Sequence, residues 1–155
     1  MARLNEGDTA ADFGLMDQSG KMVHLKDFKG RKLLLYFFPK AGTSGCTKQT
    51  AAVRDALAQL KALGVDAVGI SPDAPAAQKK FSDKLQLNFQ LLSDIDHVVA
   101  ERYGAWGEKS LYGKKSFGII RSSFLINENG KILAAWYKIS PDDTVPKAFA
   151  ALGAE

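Results

Sequence analysis

The chemistry of this chain narrows to one side chain. Cys46 is the single cysteine among 155 residues, set in Pro39-Lys40-Ala41-Gly42-Thr43-Ser44-Gly45-Cys46-Thr47-Lys48. A thiol becomes a nucleophile as its thiolate, which forms where a cation or a helix N-terminus favours the anion. Thr43 adds a hydroxyl close upstream. The bland alternative is a small buried hydrophobe, as most lone cysteines are, and position alone leaves both readings open. One cysteine excludes a Cys-x-x-Cys exchange motif. A Cys–His pair could form only in space, since neither His24 nor His97 is close in sequence. The two histidines also lack a Cys or His partner at ligand spacing, so no metal site is predicted. Gly107 to Lys115 looks like a phosphate loop, yet Lys115 occupies the place where a Ser or Thr must meet magnesium. No nucleotide site is predicted there.

The elements that must position Cys46 are legible on both sides of it. Leu33-Leu34-Leu35-Tyr36-Phe37-Phe38 is too short for a core helix and reads as a strand buried on both faces. Pro39 ends it, having no N–H for a ladder. Gly42, Ser44 and Gly45 read as a tight turn. Thr47 to Leu63 reads as a helix with Val53, Ala56, Leu57, Leu60 and Leu63 on one face. Cys46 is therefore expected where a central strand hands over to the first turn of a helix. Unpaired N–H groups and the positive end of the helix dipole favour an anion there, so the thiol should hold its proton loosely.

The remaining elements follow in order. Phe13 to Leu25 reads as a hairpin broken at Asp17-Gln18-Ser19-Gly20, and Gly64 as a helix C-cap. Asp66 to Ile70 is a short buried strand, and the prolines of Ser71-Pro72-Asp73-Ala74-Pro75 open a helix to about Leu85. Phe89 to Leu92 is a strand, Asp94 a helix cap, and His97 to Tyr103 a short helix. Trp106 to Gly118 reads as a glycine- and lysine-rich loop. Ser122 to Ile126 and Ile132 to Ile139 are strands joined at Asn127-Glu128-Asn129-Gly130. A last helix, capped by Ser140-Pro141-Asp142-Asp143, runs through Leu152. This alternation predicts an α/β fold: one domain over residues 1–155, a mixed central sheet flanked by helices on both faces, and an N-terminal β-hairpin.

Composition sets the outer bounds. With 46% hydrophobic and 25% charged residues the chain is ordinary for a globular protein. The net charge of +4 comes from scattered lysines and arginines. Without a basic block interleaved with aromatics, nucleic-acid binding is not predicted. No apolar run approaches the ~20 residues of a membrane span, and the amino terminus lacks the apolar core of a signal peptide. A lone cysteine fits a reducing compartment, so a cytoplasmic protein is expected.

Pro39-Lys40-Ala41-Gly42-Thr43-Ser44-Gly45-Cys46 also matches the Pro-x-x-x-Thr-x-x-Cys signature of peroxiredoxins. Tyr36-Phe37-Phe38-Pro39-Lys40 with Gly45-Cys46-Thr47-Lys48 resembles the bacterioferritin comigratory, or Q-type, subfamily. So do Trp106-Gly107-Glu108-Lys109-Ser110, Tyr112-Gly113-Lys114, Gly118, Arg121 and Phe124-Leu125-Ile126. The resemblance covers essentially the whole chain. It implies a thioredoxin-like fold, reduction of hydrogen peroxide and organic hydroperoxides, and no cofactor. It further implies that Cys46 is the peroxidatic cysteine, that Thr43 and Arg121 activate the peroxide, and that Pro39 shields the site.

The chain departs from the subfamily in recycling. Many members carry a resolving cysteine five residues after the first, where this chain has Ala51. Others place it after a Phe on the next helix, where this chain has Phe81-Ser82. A sulfenic acid at Cys46 must then meet an external thiol: thioredoxin, glutaredoxin or glutathione. The resemblance implies a monomer or weak homodimer. A peroxide sensor or redox-regulated chaperone using the same cysteine is the alternative from another class.

Overall fold

The computed structural model describes residues 3–153. Its strands are β1 (Gly14–Asp17), β2 (Met22–His24), β3 (Lys32–Phe37), β4 (Val65–Ser71), β5 (Gln90–Ser93), β6 (Trp106–Leu111), β7 (Lys114–Ile119), β8 (Ser122–Ile126) and β9 (Ile132–Trp136). Its α-helices are α1 (Ser44–Ala62), α2 (Pro75–Leu85), α3 (Val98–Arg102) and α4 (Thr144–Ala151). Seven strands form one sheet in the order β2-β1-β5-β4-β3-β8-β9, while β6 and β7 pair as a separate ribbon. β3, β4 and β5 run parallel; β1, β8 and β9 join antiparallel. The expected mixed sheet is there, and the N-terminal hairpin is its edge.

The apolar run predicted to be buried on both faces is the central strand. Leu33, Leu35 and Phe37 enter one core layer with Val68, Ile70, Leu92, Tyr103 and Phe124. Leu34, Tyr36 and Phe38 enter the other, with Cys46, Val53, Leu57, Leu60, Phe81, Leu91 and Leu125. Strand period two explains the split: successive side chains take opposite faces. The second layer lies under α1, so the strand and the helix that flank Cys46 are packed on each other.

Several boundaries differ from the sequence reading, β9 among them: it ends at Trp136, short of the expected Ile139, and Lys138 beyond it takes a positive φ. The helix begins at Ser44, because Thr43 is its extended N-cap residue, so Gly45 and Cys46 lie inside the first turn and not before it. Leu63 is the C-cap residue and 41% exposed; the chain turns away from the stripe after Ala62, and Gly64 then takes a positive φ. Leu25–Phe28 is a short 3-10 turn. Trp106 to Gly118 is not a loop but the β6–β7 ribbon, with Gly107 opposite Gly118. Asp94 does serve α3, accepting N–H bonds from Val99 at 3.2 Å and Ala100 at 2.8 Å.

Candidate functional site

Register brings the ends of two distant segments together. β3 and β8 are antiparallel with Phe37 opposite Ser122. One step further along each strand, Phe38 stands level with Arg121. The chain leaving β3 therefore passes Arg121 before it enters α1. Between them lies the Pro39–Thr43 loop. Gly42 turns it with φ of 86°, a conformation a side chain would oppose. The Ala41 N–H donates to Asp73 Oδ2 at 2.7 Å, and Ser71 Oγ holds the same oxygen at 2.7 Å. The end of β4 thus fixes the loop that delivers Cys46.

Cys46 is fully buried in the first turn of α1. The first intrahelical bond in that turn runs from Thr47 N–H to the Thr43 carbonyl at 2.9 Å. The N–H groups of Gly45 and Cys46 accordingly have no carbonyl of their own helix to meet. Arg121 Nη2 donates to Cys46 Sγ at 3.5 Å, across a separation of 75 residues. The guanidinium reaches that position over Gly45: a Cβ there would sit 3.2 Å from Arg121 Nη2 and 3.4 Å from Pro141 Cγ. Glycine is used here for space, since its φ is not positive.

Of the four predicted site residues, Cys46 and Arg121 are in direct contact. Thr43 stands at the mouth as the N-cap residue, exposed, with Oγ1 donating to the Lys40 carbonyl at 2.9 Å. A hydroxyl has one hydrogen and two lone pairs. With its hydrogen held by Lys40, the Thr43 hydroxyl keeps only its lone pairs free, as acceptors. Pro39 is half-buried at the head of the loop, next to Phe38 of the same core layer as Cys46.

Residues that the sequence reading passed over complete the surroundings. Gln49, fully buried one turn beyond Cys46, accepts from Arg121 Nη1 and donates through Nε2 to Thr144 Oγ1 at 2.9 Å. It was findable: a polar residue three after Cys46 and four before Val53 lies on the apolar stripe of α1. Lys109 on β6 lies across Gly118, where a Cβ would meet its Cδ at 3.3 Å. Burial lowers the Lys109 ammonium below its ordinary pKa and the charge of Arg121 adds to this, while Cys46 opposes it. Tyr36, also fully buried, shares a 2.8 Å hydrogen bond with Thr50. Burial raises its phenol, Thr50 and Arg121 pull the other way, and the group stays neutral. An apolar hollow of about 330 Å³ lined by Leu25, Phe28, Leu33 and Ile126 lies at the opposite end of β3, away from this chemistry.

The arrangement is a thiol on a helix N-terminus, faced by an arginine at the end of an antiparallel strand, in a mixed sheet with helices on both faces. That is a thioredoxin-like peroxiredoxin fold. The sequence model of the AhpC/TSA family matches residues 7–135. Peroxiredoxin Bcp of Escherichia coli K12 is 52% identical over 132 residues, covering 85% of each chain. A structure of the Xanthomonas campestris bacterioferritin comigratory protein has a TM-score of 0.87 at 30% identity, covering 99% of this chain and 98% of that one. A cysteine-to-serine variant of Xylella fastidiosa PrxQ has a TM-score of 0.91 at 27% identity, over 99% and 98%. The chain belongs to the AhpC/TSA family, among its bacterioferritin comigratory, or Q-type, peroxiredoxins.

Proposed function

We propose that the chain is a thiol-dependent peroxidase that reduces hydrogen peroxide and organic hydroperoxides through Cys46. The observation that carries this reading is Arg121 Nη2 on Cys46 Sγ, 3.5 Å apart at the N-terminus of α1. The Xanthomonas structure cited above addresses that protein's alkyl peroxide reduction activity, which supports the same substrate class here. The Cys46 thiolate attacks the terminal peroxide oxygen, an S–O bond forms and the O–O bond breaks. Cys46 becomes a sulfenic acid, and the departing oxide takes a proton to leave as water or an alcohol.

Each neighbour has a part in that step. Arg121 and the Cys46 N–H donate toward the oxygens on which charge develops. Thr43 Oγ1 accepts the peroxide hydroxyl, its own hydrogen being held by Lys40. Pro39 keeps water from the mouth. Thiolate formation alone is a small lever: lowering any thiol from pKa ~8.5 to ~6 raises its ionised fraction at pH 7 about thirtyfold. Part of that gain is lost because a less basic thiolate is a weaker nucleophile. Most of the acceleration must come from orienting the peroxide.

Recycling follows from the cysteine count. The chain has one cysteine, so two equivalents of an external thiol are needed. The first forms a mixed disulfide with loss of water; the second releases Cys46 and the oxidised reductant. Thioredoxin, glutaredoxin and glutathione are the candidates, and a reducing cytoplasm is the setting that supplies them. Cys46→Ser tests the reading, because a serine alkoxide is out of reach at neutral pH. Peroxide consumption with each reductant supplied in turn should vanish in the variant. Activity within tenfold of wild type would overturn the assignment.

A further inference from the structure

We propose that Thr144, on the last helix, is a positioning residue for the peroxidase reaction, acting through Gln49 on Arg121. This rests on the reading of Cys46 and Arg121 given above. An arginine guanidinium only donates. The Gln49 atom that faces Arg121 Nη1 must therefore be the carbonyl oxygen. That choice commits the other end of the amide. The Gln49 NH2 has to meet an acceptor inside the protein, since Gln49 is fully buried.

Thr144 Oγ1 is that acceptor, at 2.9 Å, and it is 1% exposed. Ser123 Oγ, fully buried on β8, shares a 2.9 Å hydrogen bond with Thr144 Oγ1 and holds it in place. Cys46, Arg121, Gln49, Thr144 and Ser123 form one continuous chain of contacts under the first turn of α1. The hydroxyl at its far end decides which way the amide points. Without it, the Gln49 NH2 has no partner where it is. Turning round would aim the NH2 at the guanidinium, donor against donor. Among the described residues no carboxylate lies within ion-pair distance of Arg121. The Gln49 carbonyl is thus the neutral anchor that aims Nη2 at sulfur.

The same segment touches the turn from outside. Pro141 lies over Gly45, and Lys48 Nζ is 3.3 Å from Asp142 Oδ1. These surface contacts explain why Thr144 is held close to α1. They do not orient the guanidinium, which the buried amide does.

The test compares second-order rates of peroxide reaction for Thr144→Val, Thr144→Ser, Gln49→Ala, Thr144→Val/Gln49→Ala and Arg121→Ala. Thr144→Val should slow the reaction about tenfold, a loss in scale with a small misplacement of a reacting group. Thr144→Ser, which keeps the oxygen, should restore it. In the Gln49→Ala background Thr144→Val should cost nothing more, because its route is gone. Thr144→Ala removes the same acceptor and replaces Thr144→Val if the latter is not folded by circular dichroism. If Arg121→Ala is slow while the Thr144 variants match wild type, the relay is wrong and the site reading stands. If the Thr144 and Gln49 losses add in full, Thr144 acts by another path and the proposal is equally overturned. If Arg121→Ala itself reacts like wild type, the site reading is what fails.

Discussion

At the scale of residues, the site is set by which groups are small and which polar groups are buried. Gly45 lets the Arg121 guanidinium lie against the first turn of α1. Gly45→Ala would place a Cβ 3.2 Å from Nη2, so the guanidinium must give by a few tenths of an ångström. The same change favours the helix by up to about 1 kcal/mol. Stability and activity should therefore part company: a thermal midpoint equal to or above wild type, and a peroxide rate several-fold lower. An unchanged rate would show that Arg121 has slack at this point. Cys46 and Thr43 were visible in the sequence because their types and spacing are unusual at a strand-to-helix junction. Arg121 was legible only through family resemblance, since nothing local links residues 75 apart. Gln49 and Thr144 are not legible from apolar periodicity, because each is a buried polar residue whose partners are distant in sequence.

At the scale of elements, the strand β3 and helix α1 could be read because each has a long, consistent apolar pattern. The β6–β7 ribbon could not. Its faces carry Glu108, Lys109, Lys114, Lys115 and a cross-strand glycine pair, so it shows no alternation of the kind that marks a half-buried strand. The β1–β2 hairpin was legible from its turn residues, and the structure shows how that turn is tied down. Asp17 Oδ1 accepts from the N–H groups of Ser19 at 2.8 Å and Lys21 at 3.0 Å, and Oδ2 from Gln90 Nε2 at 2.9 Å. Burial pushes this carboxyl up, but the Gln90 amide, the two N–H groups and the Lys21 charge outweigh it and hold it below the ordinary value of 3.8. A carboxylate favoured in the fold adds stability above pH 3.8 that is lost as pH falls through the lower, folded value. Asp94 works in the other direction. Burial raises it despite the Ala100 and Val99 N–H bonds, so its contribution is present in acid and fades as pH rises. Asp17→Asn isolates the first effect, because an amide keeps an acceptor for Ser19 and Lys21 and the Gln90 amide can turn to meet it. Thermal midpoints from pH 7 down to pH 3 should fall less steeply for the variant than for wild type. Parallel curves would mean that Asp17 is not held in its ionised form.

At the scale of the whole molecule, the open question is how a fully buried sulfur is regenerated in a chain with one cysteine. Opening of the first turn of α1 would expose the sulfur, and the cost of that movement can be located. The turn is fastened by Arg121 and Gln49 beneath it, by Pro141 over Gly45, and by the exposed Lys48–Asp142 pair, which itself contributes at most about 1 kcal/mol. Against these stand an N-terminus without a side-chain cap, Gly45 inside the first turn, and Thr47 and Thr50 close behind. Ala51→Cys places a second thiol five residues after Cys46 on the same helix. In an intact helix those Cα atoms lie about 8–9 Å apart, whereas a disulfide spans at most about 7 Å. A bond can close only if the first turns unwind, so its appearance after one equivalent of peroxide reports opening directly. Ser82→Cys is the competing placement. Ser82 is buried near the end of α2, its Oγ accepting from Gln18 Nε2 at 3.2 Å, so a bond to Cys46 joins two helices and gives up that contact. We expect the internal disulfide in Ala51→Cys, where only one short segment has to move. Mass spectrometry of each variant, digested without reduction, reads the outcome. A disulfide in Ser82→Cys alone would place the movement in α2. With no disulfide in either, the turn stays shut, and only a reductant small enough to enter the closed pocket can reach the sulfenic acid.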